Sequence, residues 1–249
     1  MGASNSKIET GHTCNTAYTR WVWAYNSCGN STSVALAQST SECLFSCGQL
    51  FTDNRDNKSY NTVQVGTQCW MAQNLNTGTR INGSQGQTNN SLIEKYCFND
   101  LESNCNINGG LYQWNEMMQY VTTAGVQGIC PTGWHLPADA EWTTVSTFLG
   151  GEGVAGAKMK STGTIESGTG LWFSPNNGAT NESGFTAVPG GHLDTTGTFN
   201  FMGSNGFWWS SSESGTGNAW YRLLSYYYIT VYRNNYSKNC GVAVRCLRD

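Results

Sequence analysis

The side chains best suited to contact a ligand lie near the end of the chain, within residues 218–249. Tyr, Ser and Asn dominate this stretch. Tyr offers a large amphipathic contact area with few rotatable bonds, and Ser and Asn adapt their hydrogen bonds. This composition favours a recognition surface over an ordinary Tyr-rich β-hairpin, which stays open as the alternative. The predicted ligand-binding residues are Tyr221, Leu223, Ser225, Tyr227, Tyr228, Thr230, Tyr232, Asn234, Asn235, Tyr236, Ser237 and Asn239.

A restriction on residue type separates these positions from the ones between them. Together with Ile229 and Cys240 they contain no Glu, Gln, Lys, Met or Trp, and each can be encoded by changing only the adenines of an AAC codon. Packing imposes no such rule on codons, so the pattern indicates a genetic origin. The intervening residues suit scaffold roles, and they include Trp220, Arg222, Leu224, Arg233, Lys238, Gly241, Val244, Arg245 and Cys246.

No group of residues has the composition of a catalytic centre. His135 has no carboxylate near it in sequence, and His192 lies close to Asp194 but without a Ser or Cys nucleophile motif. We therefore predict structural or surface roles for both histidines, no enzymatic activity and no cofactor.

We predict no metal ligand, although a structural calcium ion stays open as an alternative. Asn181, Glu182, Ser183 and Asp194 supply oxygen atoms, but they lack the regular ligand spacing of a calcium loop. The one close cysteine pair has no second Cys or His pair at the spacing of a zinc site.

The overall composition limits the partners and the location. The net charge is −3 and charged residues make up 12% of the chain, so it lacks the basic surplus that neutralises nucleic-acid phosphates. No apolar run approaches the roughly 20 residues of a membrane-spanning helix, which predicts no direct membrane insertion. Ten cysteines predict disulfides and an oxidising compartment. We thus expect an extracellular location, on a cell surface or a virus particle.

The elements that must position these side chains predict a loop-rich α+β domain. Amphipathic patterns predict two helices, over residues 111–118 and 140–149, and short alternating runs predict small, twisted antiparallel sheets. In the second helix Asp139 is suited to the cap, and the apolar face is predicted to comprise Trp142, Val145, Phe148 and Leu149. The residues predicted to pack beneath the binding surface are Trp208, Trp209, Trp220, Leu224 and Val244.

Residues 1–50 are too short to form a domain alone, so we assign them as a tail and linker and place the main domain over residues 51–249. The strand-like stretch 13–31 resembles the last strands of a fibronectin type III domain, with Tyr18 at the position of the corner tyrosine. The resemblance implies a truncated domain of a larger, multidomain protein.

Five motifs of the main domain resemble the Fibrobacter-type major paralogous domain. They are VQVGTQCWMAQNL at 63–75, CPTGWHLP at 130–137, GFTAVPGG at 184–191, FWWSSSE at 207–213 and VRC at 244–246. The resemblance runs from about residue 51 to the end. It implies a fold related to C-type lectins and to the formylglycine-generating, sulfatase-modifying domains.

The motif at 207–213 and the restricted tail after it are also similar to the variable proteins of diversity-generating retroelements. In those systems a reverse transcriptase writes adenine-directed mutations into the 3′ end of a gene, and a C-type lectin fold displays the mutated residues. The resemblance implies that the restricted positions are hypervariable.

The cysteines supply further expectations. Cys97 and Cys105 flank a short polar loop, and Cys130 and Cys246 would meet if the ends of a lectin-like fold pair, so both pairs are disulfide candidates. Cys240 lies among the restricted positions and is expected to be a free thiol. The sequence does not pair Cys14, Cys28, Cys43, Cys47 and Cys69.

Three classes of function follow. A display protein would present diversified side chains on a rigid scaffold and bind an unknown protein or glycan on another cell or virus. A carbohydrate-binding adhesin of fixed specificity would need a calcium site, and the chain has no Glu-Pro-Asn or Gln-Pro-Asp triplet. An oxidase of the formylglycine-generating type would need a reactive cysteine pair, and a shared fold alone does not establish that activity. The display interpretation is the one that explains the restricted positions.

Overall fold

The computed structural model describes residues 9–13, 16–40 and 45–249. Contacts divide the chain into two units, Met1–Ser46 and Cys47–Asp249. A disulfide joins Cys47 to Cys69 and holds Cys47 in the second unit, which therefore begins slightly before the predicted boundary at residue 51. Cys14 and Cys43 lie outside the described residues.

The described part of the first unit consists of two short strand pairs. Strand β1 (Ala17–Val22) pairs antiparallel with β4 (Val34–Ser39), and β2 (Tyr25–Asn26) pairs antiparallel with β3 (Gly29–Asn30). The Tyr18 hydroxyl accepts a hydrogen bond from the Thr13 N–H at 3.0 Å. A corner tyrosine makes this kind of contact with the backbone upstream of it. The fibronectin resemblance stays a prediction.

The strands of the second unit are mostly short, and the three longest lie near its end. They are β5 (Phe51–Asp53), β6 (Lys58–Tyr60), β7 (Thr62–Val65), β8 (Gln68–Met71), β9 (Thr79–Arg80), β10 (Glu94–Lys95), β11 (Leu111–Tyr112), β12 (Trp134–His135), β13 (Gly190–Leu193), β14 (Phe199–Met202), β15 (Asn205–Glu213), β16 (Asn218–Ser225), β17 (Tyr232–Ser237), β18 (Val242–Ala243) and β19 (Leu247–Arg248).

The helices of the second unit correct the prediction of two. They are α1 (Glu102–Asn108), α2 (Trp114–Met117), α3 (Asp139–Phe148) and α4 (Glu152–Met159), with a 3₁₀ turn at Phe98–Asp100. The helix expected over 111–118 is wrong at its start, because Leu111 and Tyr112 pair with Ala243 and Val242 in the sheet. Helices α1 and α4 were not predicted; α4 contains two glycines, which disfavour a helix in isolation.

Two details of α3 also differ from expectation. Ala138 occupies the cap position, and its N–H donates to the Glu141 carboxylate at 2.7 Å. Asp139 lies inside the helix, where its carboxylate binds arginines instead of capping. Phe148 is 64% exposed and so does not belong to the buried face, whereas Trp142 is fully buried there.

The central sheet contains seven strands. The order β11–β18–β15–β13–β14 forms one path, and β16 pairs with both β15 and β17 beside it. Strand β13 runs parallel to β15, because the turn into β14 reverses the chain once and the turn into β15 reverses it again. Since β15 and β18 are also parallel, the central sheet is mixed, which corrects the prediction of antiparallel sheets for this sheet. A second sheet has the antiparallel order β12–β19–β8–β7.

Tryptophans dominate the core between these sheets and α3. The largest fully buried side chains include Trp70, Trp114, Trp134, Trp142, Trp172, Trp208 and Trp209. Several buried indole N–H groups donate hydrogen bonds. That of Trp208 donates to Asn74 Oδ1 at 2.7 Å, and that of Trp209 donates to the main-chain oxygen of Tyr112 at 2.9 Å. Leu224 and Val244 are buried as predicted. The second unit is thus of the α+β class, with few helices and small sheets.

Among the described residues, no helix has the length and apolar character needed to cross a membrane.

Candidate functional site

The predicted binding residues lie on a hairpin of the central sheet and just beyond it. Strand β16 pairs antiparallel with β15 on one side and with β17 on the other. Residues 226–231, which we name the tyrosine loop, connect β16 to β17. Residues that face each other across paired strands point to the same side of a sheet, so the register decides which face each side chain occupies.

One face of the hairpin collects several of the predicted residues. The register pairs Leu223 with Tyr232, Tyr221 with Asn234 and Ala219 with Tyr236. Asn234 is exposed, and Leu223, Tyr232 and Tyr236 are half-buried. We name this side the tyrosine face and define it by Tyr221, Leu223, Tyr232, Asn234 and Tyr236.

Tyr221 and Ser225 are buried, each about 8% exposed, which corrects the expectation that they face solvent. Because β16 lies between two other strands, its side chains have neighbours on both sides. The Tyr221 ring packs 5.9 Å from that of Phe207 and 5.7 Å from that of Tyr236. The Ser225 hydroxyl accepts a hydrogen bond from a main-chain N–H of the tyrosine loop at 3.3 Å.

Asn235 and Ser237 lie on the opposite face of the hairpin. Their register partners are Trp220 and Asn218, which alternate with the residues of the tyrosine face. Asn218 Nδ2 donates to Asn235 Oδ1 at 3.2 Å. Asn239 is exposed beyond the end of β17. The predicted residues therefore do not all converge on one surface, because strand alternation divides them.

The tyrosine loop exposes two of its three tyrosine side chains to solvent. Tyr227 and Tyr228 are 55% and 51% exposed, and their rings lie 5.3 Å apart. The ring of Tyr226 lies 5.9 Å from that of Tyr227, and Tyr228 is 5.9 Å from Tyr232. Thr230 is half-buried. This chain of rings joins the loop to the tyrosine face.

Lys160 holds the tyrosine loop from beneath. Its buried Nζ donates to the main-chain oxygens of Asn177 at 2.9 Å, Ser225 at 3.0 Å and Tyr228 at 2.9 Å. Burial lowers the pKa of the Lys160 ammonium to about 8. All three acceptors are main-chain atoms, so the contact is independent of the side chains that the loop carries. No sequence signal pointed to this lysine.

Helix α4 fixes the other end of the loop, also through the main chain. The Ala157 N–H donates to the Ile229 oxygen at 3.1 Å, and the Val231 N–H donates to the Glu152 oxygen at 2.7 Å. A Cβ at Gly156 would lie 2.7 Å from the Ile229 oxygen. Glycine is therefore required where the loop crosses the helix.

The opposite face of the hairpin is tied to α3 through a shared carboxylate. Arg222 Nη1 donates to Asp139 Oδ1 at 2.7 Å, and Arg233 Nε donates to Oδ2 at 3.0 Å. Burial alone would raise the pKa of Asp139, but the hydrogen bonds from Arg233 and Arg222 hold it below its ordinary value. The Arg233 guanidinium lies 3.4 Å above the Trp220 ring. Trp220 is half-buried, with one face of its ring covered by Arg233. The prediction that Trp220 packs in the core beneath the binding surface is therefore wrong.

His192 is buried beside the tyrosine face, with its Nε2 3.1 Å from the Tyr236 hydroxyl. Burial lowers the pKa of His192 and raises that of Tyr236 to about 12. Asp194 makes no hydrogen bond with this imidazole in the described residues; its Oδ1 accepts from the main-chain N–H groups of Thr196 and Thr198. His192 and Asp194 are therefore neighbours in sequence that do not hydrogen-bond to each other.

His135 makes contacts that its sequence neighbours did not suggest. Its Nε2 lies 3.0 Å from Glu141 Oε1, and its Nδ1 lies 2.7 Å from Asp249 Oδ1. The hydrogen bond with Glu141 is the main cause that raises the pKa of His135. These contacts join β12, α3 and the last residue, and a structural role for His135 stays our interpretation.

Three disulfides are present among the described residues. Cys97–Cys105 and Cys130–Cys246 are the two pairs that the sequence analysis named, and Cys47–Cys69 is a third. Cys28 and Cys240 are free. Burial raises the pKa of the Cys240 thiol to about 11, so this thiol is protonated near neutral pH.

The oxygens considered for calcium already have protein partners. Asn181 Oδ1 accepts from the Thr186 N–H at 2.8 Å, and Glu182 Oε1 lies 3.0 Å from Lys158 Nζ. Within residues 9–13, 16–40 and 45–249, no three His, Cys, Asp or Glu side chains are grouped as metal ligands.

Comparison with known proteins gives one family. Residues 63–248 match the family described as the Fibrobacter succinogenes major domain. The match covers the core, the hairpin and the tyrosine loop. No curated protein and no solved structure matches the chain.

Proposed function

The chain belongs to the Fibrobacter succinogenes major domain family, and we propose that it is a display protein that binds a ligand through diversified side chains. The proposed binding surface comprises the predicted ligand-binding residues of the tyrosine face and the tyrosine loop that are exposed or half-buried. The residues assigned to it are Leu223, Tyr227, Tyr228, Thr230, Tyr232, Asn234 and Tyr236.

The observation that carries this proposal is the way in which the tyrosine loop is held. The hydrogen bonds that Lys160 donates there end on main-chain oxygens, and the hydrogen bonds between α4 and residues Ile229 and Val231 also join main-chain atoms. Exposed substitutions usually change stability by less than about 0.5 kcal/mol, whereas substitutions in the core cost several times more. A loop fixed through its backbone can therefore exchange exposed side chains such as Tyr227 and Tyr228 without unfolding.

The source of the diversity belongs to the same proposal. The restricted positions can all be encoded by adenine changes in an AAC codon, as in the variable proteins of diversity-generating retroelements. In this proposal the core of tryptophans acts as a C-type lectin-like scaffold, and a reverse transcriptase rewrites the codons of the hairpin. The buried Tyr221 and Ser225 share the codon restriction but contribute to packing more than to contact.

The proposed ligand is a protein or glycan on another cell or a virus, met outside the cell that makes the protein. Three disulfides support an oxidising, extracellular setting. The proposal assigns binding and no turnover. The protonated state of the buried Cys240 thiol supports this assignment, because a thiolate is the reactive form of cysteine.

A library experiment tests the display proposal without knowledge of the ligand. Codons for Tyr227, Tyr228, Tyr232 and Asn234 are randomised, and folded members are counted by thermal unfolding. A matched library randomises Lys160, Arg222, Leu224 and Trp208 instead. We expect most members of the first library and few of the second to stay folded. Equal loss of folding in both would contradict the proposal.

The neighbouring DNA tests the retroelement. We expect a near-copy of codons 218–246 that carries AAC at the restricted positions, beside a gene for a reverse transcriptase. A locus with neither feature would leave the binding surface standing but remove the proposed mechanism of diversification.

A further inference from the structure

Phe201 combines an unusual backbone with an exposed aromatic ring. Its φ is 68°, in the left-handed region that bulky residues rarely adopt, and its side chain is 54% exposed. Residues held in this region persist when their surroundings impose the conformation, and they cluster at binding sites. Neither the strained backbone nor the exposed half of the ring stabilises the folded protein. The ring is therefore a candidate for contact with another molecule.

The surrounding strands explain why Phe201 is held in this position. Strand β14 pairs with β13 through Gly190–Met202 and His192–Asn200, which leaves Gly191 opposite Phe201. A Cβ at Gly191 would lie 2.4 Å from the Asn200 oxygen, so the two backbones approach closely. Phe201 therefore lies at an irregular position of this strand pair.

The Phe201 ring adjoins the tyrosine face. It stacks on the His192 ring, with centroids 5.5 Å apart and planes at 23°, and it lies 6.2 Å from the Phe207 ring. His192 in turn contacts Tyr236, whose ring centroid is 5.4 Å away. The His192 ring therefore lies between Phe201 and Tyr236, one of the proposed binding residues.

The rings that Phe201 contacts are aromatic and uncharged, and one carboxylate, that of Asp194, lies near them. Burial lowers the pKa of His192, which favours a neutral imidazole at neutral pH. The nearby Asp194 carboxylate is engaged by Thr196 and by Asn200, whose Nδ2 donates at 3.0 Å. A surface of this kind fits an apolar or aromatic side chain better than a charged group, because aromatic rings pair favourably at edge or offset geometry.

We propose that Phe201 is a fixed aromatic anchor of the binding site, which contacts an uncharged apolar or aromatic side chain of a protein ligand. This inference rests on the proposed display function and narrows it. Phe201 lies outside the diversified positions, so every variant of the protein would carry the same ring. The diversified residues then select among protein surfaces that share one exposed apolar group.

The test replaces Phe201 by Asn, a residue that tolerates the left-handed conformation, so the fold is expected to keep or gain stability. Phe148→Asn is the matched control, because Phe148 is a similarly exposed phenylalanine on α3. The probes are N-acetyl-tyrosinamide, which represents an uncharged aromatic side chain of a protein, and methyl β-glucopyranoside, which represents a glycan. Binding is titrated by NMR.

We expect N-acetyl-tyrosinamide to bind the unmodified protein and to bind Phe201→Asn about fivefold more weakly, in line with the energy of an aromatic pair. Phe148→Asn should bind as the unmodified protein does. Equal binding by both variants, no binding of N-acetyl-tyrosinamide to the unmodified protein, or preference for the glucoside would overturn the inference.

A second variant, Tyr232→Ser with Asn234→Ala, separates this inference from the display proposal. Weaker binding in this variant but not in Phe201→Asn leaves the display surface standing and overturns the anchor. Weaker binding in Phe201→Asn alone supports the anchor and counts against the display surface. Weaker binding in both supports the two together.

Discussion

The ammonium of Lys160 donates a hydrogen bond to the main-chain oxygen of Tyr228 at 2.9 Å, while the Tyr228 side chain is 51% exposed. One residue of the loop is thus hydrogen-bonded to the scaffold through its backbone, while about half of its side chain is exposed. Under the proposed function, this arrangement separates the atoms that stabilise the loop from those that contact the ligand. The predictions below test it.

Replacing Lys160 by Met should destabilise the protein by about 3 kcal/mol, because buried carbonyl groups would lose a charged donor. Hydrogen exchange should increase most in the tyrosine loop. Lys158→Met is the control, since Lys158 is partly exposed in an ion pair with Glu182, and such pairs contribute at most about 1 kcal/mol. Equal losses in urea unfolding would show that Lys160 is no special anchor.

Replacing Tyr228 by Ser should change stability by no more than about 0.5 kcal/mol, because its ring is exposed. Tyr221→Ser should cost about 3 kcal/mol, because that ring is buried against Phe207 and Tyr236. The two substitutions are chemically identical and both residues belong to the restricted set. Thermal unfolding of both variants decides whether burial, and not residue type, sets the cost.

Arg222→Met should cost about 1.5–3 kcal/mol, because the Asp139 carboxylate would lose a hydrogen bond from a buried charged donor and keep only Arg233. Arg233→Met should cost less than about 1 kcal/mol, because Arg233 binds the same carboxylate from an exposed position. Urea unfolding compares the two. Similar losses would mean that the Arg222 contact does not fasten the hairpin to α3.

Acid should destabilise the protein through His192. Burial lowers the pKa of His192 in the folded state below its ordinary value of 6.5. The unfolded chain therefore binds this proton first, and the stability that His192 contributes is lost as pH falls below about 6.5. The charged and titratable groups that interact with it are Asp194 and Tyr236.

The measurement for His192 compares the unmodified protein with His192→Gln between pH 7 and 5. The difference is needed because His135, whose pKa is raised, acts in the opposite direction: its stabilisation is present at low pH and is lost as pH rises through its folded pKa. We expect the Gln variant to lose less stability on acidification. Parallel curves would contradict the prediction.

The disulfides should differ in their contribution. Removing Cys130–Cys246 should cost about 5 kcal/mol and removing Cys97–Cys105 about 2.5 kcal/mol, because the first closes a loop of 116 residues and the second a loop of 8. Paired Cys→Ser variants and thermal unfolding measure both values. A larger loss for the short loop would indicate that native packing, and not loop closure, decides the order.

The sequence alone determined the family motifs, the α+β class and the hairpin that carries the Tyr, Ser and Asn residues. Each of these depends on local composition and spacing. The α3 helix was predicted nearly to its ends because the hydrophobic period of a helix repeats within a few residues. The Cys97–Cys105 disulfide could be predicted for the same reason, because its two cysteines are only 8 residues apart in sequence.

Which of the restricted residues are exposed depends on strand pairing in the folded chain and could not be predicted from the sequence. The alternation of Tyr232, Asn234 and Tyr236 with Arg233, Asn235 and Ser237 is visible in the sequence, but the face that each set occupies depends on pairing with β16. Tyr221 is buried because its ring packs against Phe207 and Tyr236, which the sequence does not place beside it. Lys160 and Phe201 carry no local signal, because a buried ammonium and a left-handed phenylalanine acquire their roles from backbone groups distant in sequence.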